Sequence, residues 1–461
     1  MLTTEQLGHQ NPAYAKHAEH WDYLYRSYQG GEAYRAGEYL RPYLGESQSP
    51  GNQYSLRLQN TPLDNHVKST IDVYRSFLFR VPPARVLGPL AENPFAHDFI
   101  ADTDLDGQSM DSFIKSATDL ALVMGNVWLA VDKPAVAVAT SAQELELGIR
   151  AYGIVYAPQQ VLDWRYERGI NGKQQLTMIK VVEQRSGDQV TMRVWYTDRV
   201  ERYEAKMDGA EVEGITAYEE FVNPLGYIPF INFMPERGMT PGVGNSVVAD
   251  VADTQRSIYN KLSELEQNIR ISGHPSLVKT AGTQATGGAG AIVTMPEDLP
   301  GDLKPYLLQP SGSSIDGILK SIEHDVEAIN RMTHLSAVRA TATQSASGVA
   351  MQVERQLLNS KLSDLADTIQ ETEIKLWKIW FDWQGVAEPA EFEIEYNHSF
   401  DLRDTQNDLT LYTQAKAAVS NAEFQQYLDA EIVQMMVDDE EELQRILDSL
   451  KAEPTPLPPL A

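Results

Sequence analysis

The stretch from Ser246 to Gln384 constrains the fold more than any other. Val247, Val251, Ile258, Leu262, Leu265 and Ile269 fall at helical spacing, predicting an amphipathic helix over 246–271. A Gly- and Pro-rich module follows over 272–312, with no helical period. A second stripe of Ile315, Ile318, Ile322, Val326 and Ile329 predicts a helix over 313–334. Next comes "RATATQSASGVAMQVERQLL" (Arg339 to Leu358), whose first half is small, polar and carries one charge. From Val349 to Gln384 there is neither Gly nor Pro. There Leu358, Leu362, Leu365, Ile369, Thr372, Leu376, Ile379 and Trp383 alternate in steps of four and three, a heptad-like seam. At 1.5 Å per residue that helix is about 50 Å long. Such a rod suits a spine between domains or an oligomer surface. Any fold must therefore hold helix, compact insertion, returning helix, soft connector and long rod in that order.

The flanking regions differ in texture. "AEHWDYLYRSYQGGEAYRAGEYLRPYL" reads as aromatic helix interrupted at Gly30 and Gly31, and 65–79 as a second helix ended by Pro82 and Pro83. A third begins near Ser109 and stops before Gly125. From Ile149 the pattern turns to strands, with "MIKVVEQRSGDQVTMRVWYTDRVERYEA" reading as β runs around a Ser-Gly-Asp turn. "NPLGYIPFINF" is extended, "EFEIEYN" is a strand, and 401–450 reads as helical. The fold class expected is α+β.

Charge and composition narrow the functions. The net charge is −27, from 65 acids and 38 bases. A protein that grips nucleic acid draws its affinity from cations that neutralise phosphates, so tight general DNA binding is not expected. Residues 401–461 carry 13 acids and 4 bases, a third of the excess, and end in the extended tail "AEPTPLPPLA". With no cysteine there is no disulfide framework and no thiolate metal site. "MLTTEQLGHQ" has no basic and apolar leader pattern, and the apolar run 120–131 is too short to span a bilayer. The expectation is a soluble protein without a membrane partner.

Motifs of catalysis are weak. "RGINGKQQ" has Glu167 and Gln174 where a phosphate-binding loop needs Gly and Ser or Thr. "GTQATGGAG" lacks the lysine such a loop needs. Ser246 in "GNSVV" lacks the closing Gly of a nucleophile elbow and reads as an N-cap. His17 and His20 sit one turn apart, with His9 upstream, but no HExxH pattern accompanies them. Asp102, Asp104, Asp106 and Gly107 match the start of a calcium loop, yet Phe113 stands where the closing glutamate belongs. An Asp-rich turn capping the helix from Ser109 is the preferred reading. No catalytic residue, cofactor or metal ligand is assigned.

The order of parts resembles the portal proteins of tailed bacteriophages. Local texture in "YRSYQGGEAYRAGEYLRPYLGES", "LDNHVKSTIDVYRSFLFRVPP", "DTDLDGQSMDSFIKSATDLALVMGNVWLAVDKP", "NPLGYIPFINF" and "ASGVAMQVERQLL" is similar to one portal subfamily. The resemblance implies a homo-oligomeric ring, usually of twelve subunits, around a channel for double-stranded DNA. It implies an α+β wing over 1–245, stem helices over 246–271 and 313–334, and a small α/β clip over 272–312. A tunnel loop over 335–348, a long wing helix and returning strand over 349–400, and a helical crown over 401–461 complete it. DNA would pass the tunnel-loop residues Arg339, Thr341, Thr343, Gln344, Ser345 and Ser347, with Asp253, Glu264, Glu323 and Glu327 lining the stem. The clip, with Lys279, Glu297, Asp298, Asp302 and Lys304, would dock the terminase large subunit and later a head–tail connector. Contacts with the major capsid or a scaffolding protein, assembly in a host cytoplasm and a place at one capsid vertex of the virion also follow. An acidic channel would repel the duplex and keep friction low.

Two other classes stay open on the sequence. A carboxylate-dependent hydrolase predicts a monomer with a cleft. A virion or scaffold protein without a channel shares the rod and the acidic tail, but not the order of parts.

Overall fold

A computed structural model describes the chain except residues 47–52, 137–139, 210, 274–275, 281–283, 286–292, 295–297, 299, 309–312, 340–347, 401–404, 420, 437–442, 444, 447 and 450–461. The fold is mixed α+β, in two compact units, Met1–Phe400 and Asp401–Ala461.

The apolar run of 120–131 explains how the first unit is built. Helix Met110–Met124 is capped by the Ser109 hydroxyl and stopped by Gly125 in a left-handed conformation. The chain then enters strand Val127–Asp132, all six of whose residues are buried. That strand is the middle of an antiparallel three-stranded sheet, between Tyr152–Tyr156 and Phe230–Phe233. A strand covered on both faces needs a continuous apolar run rather than alternation.

Five strands from Val161–Arg168 to Glu211–Val222 form an antiparallel meander in sequence order. The Ser-Gly-Asp turn is a hairpin in which Ser186 opposes Gln189 and Gly187 takes φ +63°. "RGINGKQQ" is another hairpin loop, closed by the Gly169 amide on the Lys173 carbonyl at 2.9 Å. One face of the sheet joins the main core through Ile179, Val181, Trp195 and Val200. The opposite face forms a second cluster, including Met178, Met192, Val194 and Tyr203, capped by Leu7. Lys180, almost fully buried, donates to the Leu7 carbonyl (2.8 Å) and the His9 carbonyl just past helix Thr4–Gly8. Burial pulls its ammonium down to about 8.

The long helix is Gly348–Gln384. Its seam from Leu358 to Ile379 is buried, and Trp383 packs half-buried on the same core, donating to the Val131 carbonyl at 2.7 Å. The seam therefore faces this chain's own body, so the oligomer-surface alternative for it is corrected to a spine. Heptad spacing specifies an apolar stripe, not who covers it. Glu373 on the same helix is fully buried. It accepts from Arg85 at 2.6 and 3.1 Å, from the Tyr396 hydroxyl and from the Trp377 indole. It thereby ties the rod to the strand pair Ala84–Val86 and Glu393–Glu395. In the second unit, helices Thr405–Ala418 and Ala422–Met436 are joined by a Lys416–Asp429 ion pair.

Candidate functional site

The helices on either side of the insertion are Ala249–Gly273 and Ser313–Met332. The first begins three residues later than periodicity predicts. Ser246 is not its N-cap but closes the preceding turn, its hydroxyl accepting the Val248 amide at 3.2 Å. The root is fixed by a close backbone approach. A Cβ on Gly244 would lie 2.1 Å from the Gly125 carbonyl oxygen, so only hydrogen fits.

The first helix is rooted in the body over its first half. Gln255, fully buried, donates to the Ser27 carbonyl (3.2 Å) and accepts the Val67 amide (2.9 Å), joining three helices. Tyr259 enters an aromatic cluster with Tyr34, Leu40 and Tyr54. Arg57, itself buried against Glu46, donates to the Ser263 hydroxyl at 2.8 Å. Beyond Leu265, Glu266, Ile269 and Arg270 are exposed, yet Glu266, Gln267 and Arg270 still line a cavity with Arg57 and Asn60 of the body.

The second helix runs back antiparallel to the first. Lys261 bridges them, donating to the Ser321 carbonyl (3.4 Å) and pairing with Asp325 (2.7 Å). The insertion between them is a set of nested ladders. Ser276–Val278 pairs antiparallel with Tyr306–Leu308, and Gln284–Ala285 with Val293–Thr294. Its entry and exit are therefore adjacent. Lys279, Asp298 and Lys304 are exposed, Asp302 sits in the short turn Gly301–Leu303, and Glu297 lies outside the described residues.

Asp253, Glu264, Glu323 and Glu327 are all exposed on the pair. Eleven residues, three turns, separate the first two, and one turn the last two, so each couple shares a face of its helix. Asp253 accepts the Tyr23 hydroxyl at 3.1 Å, and Glu327 lies 3.9 Å from Arg331.

The returning helix lands on a firm footing. Tyr74 donates to the Thr333 carbonyl at 2.7 Å, Leu335 is fully buried, and Ser336–Arg339 is a helical turn. Residues 335–339, expected in the soft connector, are thus part of the body. Arg339 is half-buried and donates to Ser69 Oγ (2.8 Å) and Asn330 Oδ1 (3.1 Å). Burial holds its guanidinium below the ordinary value. Thr341, Thr343, Gln344, Ser345 and Ser347 lie outside the described residues.

The Asp-rich turn uses its carboxylates internally. Asp102 accepts the Gly107 amide (2.8 Å) and pairs with Arg150 (2.9 Å); Asp104 accepts the amides of Asp106 and Gln108 at 2.9 and 3.0 Å. Ser109 caps the helix that follows. His17 lies against Trp21, and His9 pairs with Asp163 at 3.2 Å. Among the described residues no three His, Asp or Glu side chains converge as a metal site, and no helix is long and apolar enough to cross a membrane.

No family model matches the chain, and no curated protein matches it. Two solved structures are similar in outline. One is a chain from the neck of an empty gene transfer agent particle computed with C6 symmetry: 13% identity, TM-score 0.44, covering 89% of this chain and 96% of that one. The other is from the virion of a native gene transfer agent particle: 12% identity, TM-score 0.42, covering 83% and 95%. Scores of this size carry no functional weight.

Chemically, the helix pair presents acids to solvent and a small β module at its far end. Its return is bolted to helix His66–Leu78 through Tyr74 and Ser69. Those bolts lie more than 250 residues from their partners in sequence, and no local pattern announces them.

Proposed function

We propose that the chain is a portal-type subunit, a ring of which encloses a channel for double-stranded DNA at one vertex of a virus-like capsid. The observation that carries this is the antiparallel helix pair. It is rooted in an α+β body, tipped by nested β ladders, and returns through a fixed footing to a long helix buried in that body. In this reading the tip, over 272–312, docks a packaging motor and later a connector, and residues 401–461 lie on the capsid side. The exposed acids of the pair face the duplex and keep it from adhering, because like charges in a narrow channel repel. The chain is a conduit, and the energy of packaging comes from a separate ATPase.

Light scattering with negative-stain imaging of the purified protein tests this. Twelve copies of the 51.5 kDa chain weigh about 620 kDa and appear as rings with a central hole. A protein that remains a monomer at high concentration and cleaves a polymer overturns the reading.

A further inference from the structure

The five-stranded meander has two edges, strand Val161–Arg168 and strand Glu211–Val222, and each is sealed over one half only. The N-terminal segment does the sealing. Helix Thr4–Gly8 lies over the start of Glu211–Val222, where Leu7 shares a cluster with Val212 and Ile215 and the ladder carries two register shifts. Asn11 takes the other edge, its backbone amide donating to the Leu162 carbonyl and its side-chain amide to the Trp164 carbonyl, both at 2.9 Å. Successive strands alternate in direction, so the two edge strands run parallel to each other and both seals lie at one end of the sheet.

At the other end both edges are open. The Asn223 amide donates across the ladder to the Asp198 carbonyl at 3.0 Å. Backbone groups alternate in direction along an antiparallel pair, so those of Val222, Glu220 and Tyr218 point away from the sheet. Counted back from the Gly169–Lys173 bond, those of Arg168 and Tyr166 point outward from the other edge. None of these outward groups has a partner among the described residues. Open edges are normally blunted by lysine, proline or a bulge, and residues 218–222 have none of the three. Val222 is 81% exposed there.

Charge selects what covers them. Glu219 and Glu220 make the edge Glu211–Val222 repel a copy of itself, because like charges set opposite each other destabilise a strand pair. Glu219 is held by Arg202 at 3.0 Å, whereas Glu220 accepts only the Tyr218 hydroxyl and meets no cation among the described residues. The other edge carries the complement. Arg165 is 64% exposed, with only Asp163 at 3.9 Å, and Arg168 is exposed and in no ion pair among the described residues.

We propose that the open half of Glu211–Val222 in one copy pairs in parallel with the open half of Val161–Arg168 in the next, carrying the sheet from copy to copy. With Glu220 opposite Arg165, the Tyr166 amide donates to the Glu220 carbonyl, the Val222 amide to the Tyr166 carbonyl and the Arg168 amide to the Val222 carbonyl. The same register sets Phe221 against Tyr166 and Val222 against Glu167. A slip of two residues would oppose Glu220 with Glu167, so charge fixes the register. Two different surfaces meet, which makes the contact head-to-tail, the kind that a rotation can close into a ring. Closure into a ring rests on the conduit reading; the strand pairing does not.

Disulfide trapping tests this, and because the chain has no cysteine, introduced ones report alone. Val222→Cys with Glu167→Cys in the full chain sets two thiols opposite each other across neighbouring copies, within bonding reach. Within one copy the two edge strands are four spacings apart, about 19 Å, too far to bridge. Oxidation should give a ladder of covalent multimers on a denaturing gel. Phe221→Cys with Glu167→Cys, whose side chains lie on opposite faces, should leave the chain monomeric on the same gel. In light scattering, Glu220→Arg should raise the concentration at which multimers form about fivefold, and adding Arg165→Glu should restore the parent value. Melting curves check folding, and if a cysteine pair does not fold the charge exchange decides. No ladder, an equal ladder from the mismatched pair, or an exchange that does not restore assembly overturns the pairing. Imaging the same samples separates the two readings: rings without cross-links refute only this pairing, and cross-linked open chains refute only the conduit.

Discussion

Replacing Glu373 by Ala isolates what fastens the long helix. The carboxylate is fully buried, and three donors converge on it: the Arg85 guanidinium, the Tyr396 hydroxyl and the Trp377 indole. Arg85 is itself only 11% exposed, so Glu373→Ala leaves a cation in the body with one remaining partner, Asp111 at 2.7 Å. Breaking one side of a buried pair costs about 3–5 kcal/mol. Asp111 is half exposed and still faces Arg85, which places the expected loss near the lower end, about 3 kcal/mol. The double replacement Arg85→Met with Glu373→Leu removes both charges together and should be far milder, because apolar substitutes for a whole buried pair are often neutral. Urea unfolding followed by tryptophan fluorescence reads both, since Trp377 and Trp380 sit in the same core. If Glu373→Ala costs less than about 1 kcal/mol, or the double variant is as unstable as the single one, the pair is not what fastens the helix.

Gly244→Ala should lower stability by about 1–3 kcal/mol, the usual cost of forced overpacking, because its Cβ would meet the Gly125 carbonyl at 2.1 Å. A melting temperature equal to the parent's would show that the two loops yield freely at the root of the helix pair. Asp119 gives a pH signature. Burial raises its carboxyl from 3.8 to about 6 despite Arg75 at 3.0 Å, so the folded state holds the proton more tightly than the unfolded chain. Its contribution is fully present below about pH 4 and is lost as pH rises through 6, up to about 3 kcal/mol. Asp119→Asn, which cannot ionise, should therefore gain on the parent between pH 4 and pH 7 in urea midpoints. Parallel pH profiles would refute this.

What could be read from residues alone follows from the range of each interaction. The helix over 110–124 was legible because its cap, its stripe and its Gly125 stop lie within one short window. The hairpin at Gly187 was legible for the same reason. The buried strand 127–132 was not, since an unbroken apolar run following a helix looks like more of that helix. The seam of the long helix shows the limit differently. Its residues were named correctly, but its partner was left open between a spine and an oligomer surface, because periodicity is the same whether the covering surface is this chain or another copy.

The footing at Arg339 shows why a long-range anchor resists sequence reading. In the sequence Arg339 stands at the edge of a small, polar run, and an isolated charge there looks like one that reaches outward. What decides its orientation is Ser69 on a helix 270 residues earlier, together with Leu335, which anchors the turn before it. Tyr74, one turn beyond Ser69, holds the preceding carbonyl. Arg339 is thus turned back onto the body by partners that only the fold brings to it.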